Sequence, residues 1–274
     1  MKLLTGPRIE IPDGPCIIDG TMTTAAPEIL VIAAMKDEAA EFITGVAPRY
    51  ETSGGDRSLK HYYEPGPYES RVGFLCCGVG RTAARTTLSG ALKFLKPREI
   101  LIMGYSGALH PDRHPGDLIV VEHVFDWHAP IHRRLSFDPG CRGALERYLD
   151  EACVPWHRGS AVCVDRMIDT RRDKENLRDR FPADCVDMES IALLDVIRES
   201  GIPGAMIRVI SDYADESLGL DFSKIPSSAH RRRLYFLTHP RERRAFQELI
   251  TRARNARKIM HAAVAGYLRA CLRR

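Results

Sequence analysis

Three carboxylates stand where the chain changes from one regular element to the next. Glu189 lies in the run Val186-Asp187-Met188-Glu189, which opens a segment with apolar residues at Ile191, Leu194 and Ile197, the three-to-four spacing of a helix face. Gly201 and Pro203 end that helix, Ala205 to Ile210 reads as a short buried strand, and Asp212 follows in the polar cluster Ser211-Asp212-Tyr213-Ala214-Asp215. Glu38 comes just after the apolar run from Glu28 to Met35, in the first turn of a helix expected to start at Lys36. Ligands of open α/β sheets bind at the edge where such strands end. One carboxylate there can hold a substrate while another donates a proton. The plainer account is that Asp187, Glu189 and Glu38 favour positive helix N-termini and that Asp212 caps a loop. Spacing alone leaves both accounts open.

The elements that must carry these residues follow in order. Residues 1–27 are rich in turn formers and read as an N-terminal extension with one edge strand; residues 28–274 form the domain proper. Tyr50 to Glu69 reads as a hairpin with Lys60 to Tyr63 as one arm, and Arg71 to Cys77 as the next strand. Gly78-Val79-Gly80 then opens a helix from Arg81 to Leu95, so backbone amides there can face an anion or a hydroxyl. It lacks the third glycine of a dinucleotide fingerprint and the Lys of a P-loop. Glu99 to Met103 reads as a core strand followed by a small-residue turn, Gly104 to Leu109, where a ligand can approach the backbone. Further strands are expected at Leu118 to Val124 and Ser160 to Val164, and helices at Arg142 to Cys153 and Arg241 to Leu272. Strands alternating with helices predict an α/β fold whose mixed, mostly parallel sheet is covered on both faces.

Composition narrows the class. Of 274 residues 44% are hydrophobic and 28% charged, ordinary for a water-soluble globular chain, and no apolar stretch reaches membrane-spanning length. The eight cysteines show no C-x-x-C spacing and several fall in apolar runs, which fits reduced, mostly buried thiols and a cytoplasmic location. His110, His114, His123, His128 and His132 form no metal-ligand pattern, so no metal is expected. Residues 230–274 carry 13 Arg and Lys against 2 acidic residues, net +11, so the preceding 229 residues are net −7 although the whole chain is +4. The basic character belongs to the C-terminus; on the helix from Arg241 it reads first as a solvated face, and a nucleic-acid partner is disfavoured.

Four separated stretches then share one pattern: Ala34-Met35-Lys36-Asp37-Glu38, Cys77-Gly78-Val79-Gly80, Gly104-Tyr105-Ser106-Gly107-Ala108-Leu109 with Gly116-Asp117, and Val186-Asp187-Met188-Glu189 with Ser211-Asp212. In order and approximate spacing they resemble the purine nucleoside phosphorylase and nucleosidase superfamily, and most of all the methylthioadenosine/S-adenosylhomocysteine nucleosidases. The resemblance covers roughly residues 28–222. It implies a three-layer sandwich, a twisted central sheet flanked by helices, and an N-ribosyl hydrolase acting on an adenosine-type nucleoside as a homo-oligomer without a cofactor. By that likeness Asp212 protonates N7 of the departing purine, Glu189 beside Met188 grips the ribose hydroxyls, and Glu38 positions or deprotonates the attacking water. Ile168 and Met167 would meet the purine, and Gly80, Tyr105, Ser106 and Ser211 would line the rest of the pocket. The chemistry asks for these types, because cleavage of a glycosidic bond builds positive charge on the sugar and negative charge on the base.

The chain also departs from the nucleosidase pattern. Tyr105 stands at a usually small serine, and Met167 replaces an aromatic that stacks on the base. Phosphorylases of the superfamily resemble one another in an Arg before the small-residue turn and in Ser/Thr after the glycine pair. Here Ile102, Ala83 and Ala84 occupy those places, which favours water, while Arg81 and Thr82 keep phosphate open as a co-substrate. One alternative is therefore a phosphorylase for a large hydrophobic adenosyl compound, as in the hopanoid-associated members, with peripheral membrane contact through Leu234-Tyr235-Phe236-Leu237. The alternative from another class is a non-catalytic nucleoside-binding or nucleic-acid-binding protein.

Overall fold

The computed structural model describes residues 26–48, 61–68, 71–130, 134–220, 224 and 235–273. Nearly all of the expected N-terminal extension, the Lys60 end of the hairpin arm and the basic run 230–234 lie outside the described residues. The predicted alternation gives β1 (Ile29–Ala33), α1 (Ala40–Ile43), β2 (Tyr62–Tyr63), β3 (Val72–Cys76), α2 (Arg81–Ala91), β4 (Glu99–Ala108) and β5 (Leu118–Asp126). It continues with β6 (Arg134–Ser136), α3 (Pro139–Glu151), β7 (His157–Cys163), α4 (Arg171–Arg180), β8 (Cys185–Asp187), α5 (Ser190–Ser200), β9 (Gly204–Asp212) and α6 (Pro240–Leu272).

The sheet is mixed. β3, β1, β4 and β9 run parallel in that order, as do β5, β7 and β8, whereas β8 meets β4 and β9 meets β5 antiparallel. These pairings close a ring, β4-β9-β5-β7-β8, so one end of the sheet curls on itself while β1, β3 and β2 extend from it. Side-chain alternation along β1 sorts the core. Leu30 and Ile32 pack with Leu88 of α2 and with Ile191 and Leu194 of α5. Val31 and Ala33 pack with Phe42 of α1, Leu145 of α3, and Met260, Val264 and Leu268 of α6. Helices thus cover both faces, and each fully buried Leu or Ile contributes about 1.5–3 kcal/mol by leaving water.

Three local expectations are corrected. The segment Gly104 to Ala108 is not a turn, because β4 continues to Ala108 with a register shift between Ser106 and Gly107. The strand bends there as it passes from β9 to β8, which small residues permit. Glu38 is not in a helix, since α1 starts only at Ala40 and residues 36–39 form turns. Asp187 ends strand β8, and Glu189 occupies the N-cap position of α5 rather than its first turn. At the other end of α5, Gly201 takes the left-handed conformation (φ 69°) that stops the helix.

Candidate active site

The C-terminal ends of β1, β4 and β9 and the start of α5 converge on Arg208. It sits on β9 with 1% of its surface exposed, and its guanidinium donates to Asp187 Oδ2 at 2.6 Å. Glu38 lies beside it: a Cβ added to Gly104 would meet both the guanidinium and, at 2.7 Å, Glu38 Oε1. Any side chain at 104 would push these two charged groups from their places. Two backbone amides aim the Glu38 carboxylate, Met35 N at 2.8 Å on Oε2 and Tyr105 N at 2.9 Å on Oε1. Behind it, Nε2–H of the buried His261 donates to the Glu38 carbonyl and so ties α6 to this turn. Arg257 of α6 holds Asp37, the next residue back.

Glu189 is placed from the α2 side. Gly80, at φ 89°, turns its N–H onto Glu189 Oε1 at 2.7 Å. Asp187 Oδ1 accepts from Ser190 N at 3.1 Å and Ser190 Oγ at 2.7 Å, so Asp187 caps α5 and leaves the Glu189 carboxyl free to face the site. Burial, then repulsion from Asp187, pushes the Glu189 carboxyl up to about 7 against the opposing charge of Arg208. Burial also raises Glu38, again opposed by Arg208 and by its backbone donors. For Arg208 burial works against the charge, but Asp187, Glu189 and Glu38 outweigh it and hold the guanidinium firmly cationic.

Asp212 closes β9 and is likewise buried. Its Oδ1 accepts from Ser211 Oγ at 2.7 Å, and its Oδ2 is in direct contact with Lys174 Nζ. Lys174, on α4, is 1% exposed and also donates to the Tyr213 carbonyl. The site therefore has one carboxylate paired with an ammonium at its α4 edge and three carboxylates around a guanidinium at its β1–β4 edge. It presents a buried ion pair on one side and a surplus of carboxylates on the other.

Residues 28–269 match the family model of the Phosphorylase superfamily. The chain belongs to this superfamily. It is 28% identical over 167 residues to an aminodeoxyfutalosine nucleosidase of Helicobacter pylori strain J99, a match covering 56% of this chain and 72% of that one. Among solved structures its fold is similar to futalosine hydrolase of Helicobacter pylori strain 26695, with a TM-score of 0.68 at 17% identity over 89% and 98% of the two chains. It is also similar to the 5′-methylthioadenosine/S-adenosylhomocysteine nucleosidase of Neisseria meningitidis in complex with methylthio-immucillin-A, with a TM-score of 0.66 at 18% identity over 88% and 98%.

On this superfamily fold most of the expected site residues gather, but in different ways. Ile168 is buried in a cluster with Val186 and Leu177, and Met188 packs against it. Met167 instead stands 46% exposed, with its side chain outside that cluster. Tyr105 reaches the site through its backbone amide, while its hydroxyl turns away to Asp37 Oδ2 at 3.0 Å. Ser106 is buried, and its carbonyl lies 3.2 Å from Ser211 Oγ, whose one proton goes to the nearer Asp212. Arg81 is engaged: it pairs with Asp126 and Asp165, each at 2.8 Å, and donates to the Cys163 carbonyl at 2.7 Å. Sequence reasoning missed Arg208 and Lys174. Both left a trace: Arg208 is the one charge in the apolar run Ala205 to Ile210, and Lys174 sits three residues before Leu177 and seven before Phe181, on the apolar stripe of an otherwise charged helix. Among the described residues no group of three His, Cys, Asp or Glu is arranged to hold a metal ion.

Proposed function

We propose that this protein hydrolyses the N-glycosidic bond of an adenosine-type nucleoside, with Asp212 as proton donor to the base, Glu189 holding the ribose hydroxyls and Glu38 receiving a proton from the attacking water. The observation that carries this reading is the separation of charge: Glu38, Glu189 and Asp187 surround Arg208 on one side, and Asp212 stands apart on the other. A sugar gaining positive charge is stabilised by the first group, and a base gaining negative charge by a proton from the second. The named activities of the nucleosidases to which the chain is similar support the same class.

Water rather than phosphate as nucleophile is supported by the fate of the cations. Arg81, which the sequence left available to phosphate, is taken up by Asp126 and Asp165, and Arg208 by Asp187. A phosphate dianion brought beside Glu38 would meet carboxylates, with Arg208 already held by Asp187 and Lys36 over the Tyr63 ring, which is costly. Water needs one acceptor. Base release from a panel of adenine nucleosides, with and without phosphate, tests the reading: the expected product is free sugar at a rate independent of phosphate. A sugar 1-phosphate, formed at a rate that saturates with phosphate, would overturn it.

The same reading places the protein in the cytoplasm as a homo-oligomer. Cys76, Cys77, Cys163 and Cys185 are free and buried. Phe246, Leu249 and Ile250 on α6 are only partly covered, with Leu237 exposed nearby in the chain. Sedimentation velocity checks the second point, and a monomer at micromolar concentration would contradict it.

A further inference from the structure

Lysine is almost never fully buried unless paired, because removing an ammonium from water costs several kcal/mol. Lys174 is buried, and both groups it touches belong to the segment that carries the candidate proton donor: Asp212 Oδ2 and the Tyr213 carbonyl. Two further bonds clamp α4 to the same segment, Arg171 N to Ser217 Oγ at 2.9 Å and Leu218 N to the Asp169 carbonyl at 2.8 Å. The ammonium is therefore fixed in place. On α6, Arg252 is a further cation that feels the Asp212 charge, and its own partner is Glu216 at 2.5 Å.

We infer that Lys174 is a positioning residue for the base-leaving step, a fixed counter-charge for the carboxylate that Asp212 becomes when it gives its proton to the purine. This rests on the proposed nucleosidase reading. In the free protein the two side chains form an ion pair, so Asp212 has no proton to give. A base presenting the N7 lone pair to that carboxylate draws one proton from solvent onto Asp212. During cleavage the Asp212 O–H bond breaks, the N7–H bond forms, and the C1′–N9 electron pair passes into the purine ring. Water adds to C1′ and leaves its second proton on Glu38, which returns it to solvent, so protons balance over the cycle. Asp212 is then again a carboxylate against an ammonium already in place. Such preorganised charge acts only as the negative charge appears, and therefore on kcat more than on KM.

The test is a double-mutant cycle with a proton count. Lys174→Met keeps the side-chain volume and removes the charge. It is expected to lower kcat for adenine release about a hundredfold with KM within severalfold, and to cost nothing further in an Asp212→Asn background, where no carboxylate forms. Because the Glu189 carboxyl, pushed up to about 7, also exchanges protons, the uptake is read as a difference: on binding a carbocyclic adenosine analogue, which cannot be cleaved, wild type should take up about one proton per site more than Asp212→Asn. A Lys174→Met variant as fast as wild type, or an equal loss in both backgrounds, overturns the inference. If Lys174→Met does not fold, the proton count decides, and binding with the same proton uptake in wild type and Asp212→Asn overturns the inference. Wild-type turnover is the control: no base released from any nucleoside defeats the proposed function, whereas an active wild type with an additive cycle defeats only the role of Lys174.

Discussion

At the β1–β4–β9 end of the site a single guanidinium, Arg208, lies among Glu38, Asp187 and Glu189; at the α4 end a single ammonium, Lys174, meets a single carboxylate, Asp212. Both ion pairs are buried, and each costs desolvation that mutual attraction offsets only in good geometry. Their surroundings differ. The first pair has two carboxylates to spare, and the surplus shows in the raised carboxyls of Glu38 and Glu189. The second has none. Protonating Asp212 leaves that end cationic, while the first end stays anionic. On the proposed reading, with the sugar toward the carboxylates and the base toward the lysine, this is the polarity that glycosidic cleavage develops.

The sharpest break of this contrast is at Asp212. Asp212→Asn keeps the shape and can still accept from Lys174, but it has no acidic proton. Turnover should fall about a hundredfold to ten-thousandfold with nucleoside binding retained. Calorimetric binding beside a base-release assay separates the two, and near wild-type turnover would remove Asp212 from its role.

Next in size is Arg208→Met, which leaves Asp187, Glu38 and Glu189 buried without their shared cation. Loss of one partner of a buried pair costs about 3–5 kcal/mol, read as a lower urea midpoint at neutral pH. A loss under 1 kcal/mol would mean that the carboxylates do not depend on Arg208. Glu38→Gln keeps the Tyr105 amide bond but removes the proton acceptor, so base release should slow about a hundredfold while ribose binding through Glu189 survives. Unchanged turnover would take Glu38 out of the water step.

These two residues also mark how far the sequence could be read. Glu38, Glu189 and Asp212 each stand at a strand or helix end, where turn chemistry and periodicity change within a few positions; spacing marked them as candidates but left helix-end and capping roles equally open, and only the family resemblance joined the three. Arg208 and Lys174 sit inside regular elements, a buried strand and a charged helix, and periodicity assigns such positions to core or solvent without naming a partner. Their partners are 21 and 38 residues away in the chain, and only the tertiary fold supplies them. The same holds for β4, whose glycines read as a turn locally but continue the strand because β9 and β8 pair with them. The two-residue and three-residue strands β2, β6 and β8 are too short to show a period of two.

The smallest expected effect isolates the carboxylate surplus itself. Glu189 has its carboxyl pushed from an ordinary 4.5 up to about 7 by burial and by Asp187. Below pH 4.5 the group is protonated whether the chain is folded or not, and it contributes no penalty. Between 4.5 and 7 the unfolded chain releases the proton while the folded chain keeps it, so stability is lost as pH rises and the loss is complete above 7. Gln at 189 is neutral throughout and can still accept from the Gly80 amide. Glu189→Gln should therefore match wild type near pH 4.5 and exceed it by about 1–3 kcal/mol at pH 8, although its grip on the ribose hydroxyls is weakened. Urea denaturation of both proteins at the two pH values measures the difference. A gain that is the same at both would place its origin in packing, and a variant less stable at pH 8 would show that Arg208 needs the Glu189 charge, so that this end of the site carries no surplus.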